Sequence, residues 1–304
     1  MSDLLFSIKQ VCSVVAFHAD RLDLLRFDTS DADARARSYL AAEGPHSAYR
    51  AISPWYLLVE ALYAELETLM QRADDATSHA ILQDPSILAL LPQLHRIRAA
   101  YEFDKELAEA RSLLQADHPG RALADLTHHQ RYWTLPDPVA RALQGAKHIA
   151  VVGSGPLPLT ALAIADHLDC SITCFERDET AFNIGNDVLA LSPLSEKITC
   201  LKKGTTSHDS FGEFDAIFTA VLMGVSLDQQ EAHWPKSKSI EAFFSTARPN
   251  MKVIMRDPFR LGQLFYPAAS TSAINGITVQ RFNPEAGPGI PYRSSFLILE
   301  QGGA

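Results

Sequence analysis

Apolar residues recur along this chain with two different periods. Over the first 145 positions the spacing is helical. Leu4, Ile8, Val11, Val15 and His18 mark one face of a first helix. Pro54 to Met70 forms a long amphipathic helix, with Ser53 as its N-cap and Pro54 as its first residue. Residues 86–99 and 102–115 read as two more helices. From residue 146 onward, short apolar runs take over and alternate with helical stretches. The predicted strands are 148–152, 171–176, 198–203, 214–219, 251–256, 277–282 and 293–300. The alternation of the first five with helices predicts a parallel sheet with right-handed crossovers. The last two are joined by a Pro- and Gly-rich loop, Pro284 to Pro291, and predict a hairpin. The expected organisation is a helical domain over 1–145 and a Rossmann-like α/β domain over 146–304, without internal repeats.

One junction in this pattern carries chemistry. Ile149 to Val152 is apolar, Gly153 and Gly155 follow, and an apolar helix starts at Leu159. A strand, a glycine turn and a helix start in that order form a nucleotide-type site. The glycines admit a ligand close to the backbone, and free N–H groups at the helix start favour an anion. Pro156 and Pro158 remove two of those donors, and the third glycine of the dinucleotide fingerprint is absent. Both features disfavour a pyrophosphate. They favour a smaller adenosyl ligand with a carboxylate, such as S-adenosylmethionine (SAM).

Glu176 ends the second predicted strand, 23 residues after Gly153. That is close to the spacing of a ribose-binding acid, with Asp178 as a rival and Arg177 between them. In a parallel sheet the ligand sits beyond the carboxyl ends of the strands. Ser154, Pro156, Thr205, Thr206, Ala220 and Leu222 therefore join the predicted ligand site, with Val221 and Met223 as further cover. Arg256 ends strand five and is placed to clamp a carboxylate.

Composition narrows the partners. The chain has 304 residues, 47% apolar and 21% charged, with a formal net charge of −9. That balance excludes the basic surface a nucleic-acid binder needs. The start, Met1 to Ala16, places Asp3 and Lys9 where a signal peptide would not. No apolar run approaches the ~18 residues of a membrane span. The expectation is a cytoplasmic protein with no membrane partner and no metal. Cys12, Cys170, Cys174 and Cys200 read as free thiols.

The run Val152-Gly-Ser-Gly-Pro-Leu-Pro-Leu-Thr160 resembles the signature of the nicotianamine synthases. Phe214-Asp-Ala-Ile-Phe-Thr-Ala-Val-Leu-Met-Gly224 is similar to that family's segment after strand four, and Met255-Arg256 with Phe265-Tyr-Pro267 keeps its Arg-to-Tyr-Pro spacing. In the helical part the likeness is limited to Glu65-Leu-Glu67 and Arg131-Tyr-Trp-Thr-Leu135. Phe259 stands where the plant enzymes carry His, and the stretch Leu126–Tyr132 departs from their aromatic run. The pattern looks more like the bacterial branch that makes staphylopine- and pseudopaline-type opine metallophores. That resemblance implies a SAM-methyltransferase-type fold. It also implies transfer of the 3-amino-3-carboxypropyl (aminobutyrate) group of SAM to the amine of histidine, releasing methylthioadenosine. The product would pass to an opine dehydrogenase, and a homodimer stays open. Condensation of three SAM molecules, small-molecule methylation, or non-catalytic SAM binding are the alternatives. The helical domain would then supply the acceptor pocket.

An attacking amine must lose a proton, so a base is needed. Candidates are Glu67, Glu65 and Tyr132. Glu67 lies toward the apolar stripe of Leu62, Tyr63, Leu66 and Met70, whereas Glu65 faces outward. His128 and His129, Arg260 and Tyr266 are secondary candidates for substrate contacts.

Overall fold

The computed structural model describes residues 2–19, 54–128, 135–203, 211–225, 235–270, 276–283 and 294–301. The short apolar runs of the second half become one seven-stranded sheet, in the order β3-β2-β1-β4-β5-β7-β6. The strands are β1 (His148–Val152), β2 (Ser171–Glu176), β3 (Ile198–Lys202), β4 (Ala216–Thr219), β5 (Lys252–Pro258), β6 (Ile277–Phe282) and β7 (Ser294–Gln301). The first five pair in parallel. β6 and β7 form the expected antiparallel pair, and β7 inserts against β5. This is the order of the SAM-methyltransferase-type fold. Chain order reverses at β1, whose neighbours are β2 and β4. The crevice beyond the ends of these strands is the switch point where such sheets bind ligands.

The helices are α1 (Ser2–Ala19), α2 (Pro54–Met70), α3 (Asp75–Leu82), α4 (Pro85–Leu114), α5 (Pro119–His128), α6 (Asp137–Leu143), α7 (Leu159–His167), α8 (Glu179–Leu189) and α9 (Lys236–Ser245). None of the described helices is long and apolar enough to cross a membrane. The two helices predicted over 86–99 and 102–115 are a single one, α4. Ala99, Ala100, Tyr101 and Glu102 at the expected break are all helix-compatible. Pro92 lies inside the helix and does not end it. Ser53 lies outside the described residues.

At 1.5 Å per residue, α4 is long enough to join two packing layers. Its first half shares a core with α1 and α2. Ile87, Leu94, Ile97 and Tyr101 pack there with Ile8, Val15, Val59 and Leu66. Its last turns, with Ala110 and Leu113, join the core under the sheet with Val139, Leu162 and Ile172. The chain after β5 returns to the first layer, where the 3-10 turn Arg260–Leu264 and Phe265 enter the α1–α2–α4 core. Phe265 is fully buried and stands edge-on to Tyr63 at 5.2 Å. Phe265, the turn before it and the long helix α4 thus tie the sheet to the helical layer.

Phe265→Ala removes that tie and leaves a cavity between the layers. The expected loss is about 3–5 kcal/mol, the usual scale for a buried Phe-to-Ala change. Urea unfolding checks it; a loss under about 1 kcal/mol would show that the layers dock without it.

Candidate active site

The glycine turn after β1 is held by a single carboxylate. Gly153 and Gly155 both take positive φ, 77° and 68°, a region that L side chains rarely occupy. The Gly153 amide donates to the Phe175 carbonyl at 2.9 Å. The Gly155 amide donates to Glu176 Oε2 at 2.9 Å, and the Asp178 amide to Glu176 Oε1 at 2.9 Å. Glu176 is buried, so its charge is compensated by two backbone donors. The acid predicted to meet a ribose therefore also fastens the turn to the start of α8. Each oxygen keeps a further lone pair for a ligand hydroxyl. Its rival Asp178 is engaged as the N-cap of α8, accepting from the Ala181 amide at 2.8 Å.

Several other predicted residues gather around this turn. Ala220 donates its amide to the Val152 carbonyl at 3.1 Å, and a Cβ on Gly153 would sit 3.3 Å from the Ala220 Cβ. Ser154 Oγ lies 3.9 Å from Cys200 Sγ on β3. Arg177 is exposed and donates across the crevice to the Val225 carbonyl at 3.5 Å. Pro156 is buried under the turn, and Leu222 is half-buried at the crevice. Met223 turns instead into the core beneath α9, so it does not cover the ligand face. Thr205, Thr206 and Tyr132 lie outside the described residues, as does His129; His128 ends α5.

Two groups at the turn escape a reading by spacing alone. Gly185 on α8 presses against the turn, where an added Cβ would stand 3.0 Å from the Gly155 carbonyl oxygen. It provides the close approach that a third glycine in the turn would otherwise allow. The other is Glu106 on α4. Its Oε2 would lie 2.8 Å from a Cβ on Gly155, so only a glycine leaves room for the carboxyl group. Glu65 is exposed and Glu67 half-buried on α2; Glu106 is the acid that the helical layer lays against the glycine turn. The signal was present in the sequence as Glu102, Glu106 and Glu109 at i, i+4 and i+7.

The surroundings of Glu106 favour its protonated form. Burial pushes its carboxyl up from 4.5 to about 8, helped by the negative charges of Glu102 and Glu109 and opposed by Arg256 and Lys105. Burial likewise raises Glu109, to about 7. Arg256 at the end of β5 is half-buried, and its charge reaches Glu106. Arg260 turns away to α3, pairing with Asp75 at 2.5 Å. Tyr266 reaches α4: its hydroxyl accepts from Arg98 Nη2 at 2.9 Å and donates to Glu102 Oε1 at 3.1 Å. A glycine turn, a buried strand-end acid, a half-buried carboxyl and an arginine thus converge at one end of the sheet. Such a site can hold an amino-acid-bearing nucleoside and take a proton beside it.

Comparison with known proteins is in keeping with this geometry. A family model described as nicotianamine synthase protein matches residues 53–289. The chain belongs to the nicotianamine synthase family. Nicotianamine synthase 1 of Arabidopsis thaliana is 28% identical over 135 residues, 42% of this chain and 39% of that protein. Nicotianamine synthase 2 of the same plant is 25% identical over 135 residues, covering 43% and 40%. The chain thus spans about two fifths of the length of these curated relatives. Among solved structures, a glutamate-to-glutamine mutant of MtNAS superposes with a TM-score of 0.71 at 16% identity, covering 98% of each chain. The same mutant in complex with S-adenosylmethionine gives 0.66 at 18% identity, covering 82% of this chain and 92% of that one. The family fold therefore extends through the helical layer, where the sequence likeness was slight.

Glu176→Ala would strand the Gly155 and Asp178 amides. Two part-buried donors losing their shared acceptor should cost about 1–3 kcal/mol. An unchanged urea midpoint would mean that the turn holds its shape without the acid.

Proposed function

We propose that the chain transfers the aminobutyrate group of SAM to the α-amine of an amino acid, histidine being the acceptor favoured by the resemblance to the opine-metallophore branch. One observation carries the reading: a carboxyl group with a raised proton affinity faces the backbone of the glycine turn. SAM would lie against Gly153–Pro156, with its ribose on Glu176 and Arg177 and its adenine toward Thr205, Thr206, Ala220 and Leu222. Arg256 would face a substrate carboxylate. The acceptor amine attacks the Cγ methylene of SAM and forms the new C–N bond. The Cγ–S bond breaks, its electron pair stays on sulfur, and methylthioadenosine leaves neutral. The ammonium proton passes to a base. We assign that base to Glu106, in place of Glu67 or Glu65, with Tyr132 kept as a contact to the amine. A carboxyl that titrates near the working pH is well matched to this step, which is worth typically ~10²–10⁴ in rate. The product would serve an opine dehydrogenase.

The names of the curated relatives favour a second reading, condensation of three SAM molecules into nicotianamine. Product analysis separates the two. Protein with SAM and histidine should yield methylthioadenosine and a single-addition product. A three-fold condensate from SAM alone would establish the second reading, and S-adenosylhomocysteine would reject both in favour of methylation. Absence of any product, with SAM bound, would leave a binding module.

Glu106→Gln keeps the volume and cannot take the proton. It should bind SAM nearly normally while turnover falls ~10²-fold or more. The positive sulfonium should also favour the ionised form of Glu106. SAM binding near pH 7 should therefore release a proton in the parent protein and none in Glu106→Gln. Calorimetry in buffers of different ionisation enthalpy reads this directly, and near-normal turnover in Glu106→Gln would return the role to Glu67 or Tyr132.

A further inference from the structure

One turn before Glu106, α4 carries an ion pair that the reaction itself does not require. Arg98 and Glu102 pair side chain to side chain along the helix. Tyr266, from the segment after β5, closes the pair into a ring. Its hydroxyl accepts from Arg98 Nε at 3.2 Å and Nη2 at 2.9 Å, and donates to Glu102 Oε1 at 3.1 Å. The guanidinium is caged by aromatic rings, 4.8 Å from Tyr63 and 5.4 Å each from Tyr101, Phe265 and Tyr266. Arg98 is buried. A planar cation in such a cage has few orientations, and its partner carboxylate is fixed with it.

We propose that Glu102, clamped by Arg98 and Tyr266, is a positioning residue that holds a fixed negative charge one helical turn from Glu106 and so sets its appetite for a proton. The inference rests on the reading of Glu106 as the base. Glu102 and Glu106 stand at i and i+4, where side chains on a helix meet. Like charges at that spacing oppose joint ionisation. Glu102, Glu109 and Lys105 from its own helix and Arg256 from β5 act on Glu106, and the Glu176 carboxyl of β2 is held on the Gly155 amide that Glu106 packs against. The place of Glu102 is dictated by a second element, the Tyr266 segment. That segment follows directly from the strand carrying Arg256. The clamp therefore ties the proton affinity of the base to the position of the β5 end, where a substrate carboxylate would bind.

The experiment is a carboxyl titration of the full chain by ¹³C NMR with labelled glutamate, without SAM. The Glu106 signal is identified by its disappearance in Glu106→Gln. Its midpoint should stand well above the ordinary carboxylate range. In Glu102→Gln the midpoint should fall by about half a unit or more, and Glu102→Asp should restore the high value. The acidic limb of the pH–turnover profile should move in the same direction, with KM for SAM little changed. Tyr266→Phe, a milder change that keeps both charges, should move the midpoint the same way by less; it serves if Glu102→Gln does not fold. A Glu106 midpoint unmoved in folded Glu102→Gln, or in Tyr266→Phe where only that variant folds, overturns the proposal. Normal turnover in Glu106→Gln instead overturns the base assignment, whatever the titration shows.

Discussion

A carboxyl group taken out of water must find donors or keep its proton. The two acids at the centre of this molecule take opposite courses. Glu176 accepts one backbone amide on each oxygen. Glu106, which packs against Gly155, is pushed by burial and by neighbouring acids toward its protonated form. One turn of backbone separates a carboxyl that holds two amides from one whose surroundings favour the proton. The close packing at that turn follows from this division. Gly155 admits the Glu106 carboxyl on one side, and Gly185 admits the Gly155 carbonyl on the other.

That contact exists because α4 runs unbroken from the helical layer to the sheet. A helix ending near Tyr101 would leave Glu106 free to orient elsewhere. Its rigidity is reinforced where Arg98, Tyr101 and Glu102 meet Tyr63 and Tyr266. A buried cation is costly unless paired and hydrogen-bonded, and here the pairing recruits both α2 and the segment after β5. The end of β5 is anchored a second time at Asp257, fully buried, which accepts from Arg281 Nη2 at 2.8 Å and from the Ala269 amide at 2.7 Å. Lys236 completes that cluster at 3.5 Å from Asp257 Oδ1. Burial holds its ammonium down at about 8, against the attraction of Asp257. Arg256 is presented between these two anchored networks.

The sequence alone determined the sheet. The seven strands fall within two residues of their predicted ends, because each is a short run of strand-forming residues bounded by turn residues, and the central ones, β1, β2 and β4, are buried almost throughout. The glycine turn and Glu176 were equally legible, since positive φ and a strand-terminal acid leave residue types behind at fixed spacing. What tertiary structure decided was the partner of the turn. Glu67 and Glu106 both lie on helices with apolar stripes, and periodicity cannot say which stripe docks at the ends of the strands. Nor could it show that Tyr266 reaches back across 164 residues to Glu102, or that Gly185 does the work of a missing turn glycine. Local pattern records the conformation of a segment; the contacts that place Glu106 at the turn arise only when distant segments pack, and they leave no period in the chain.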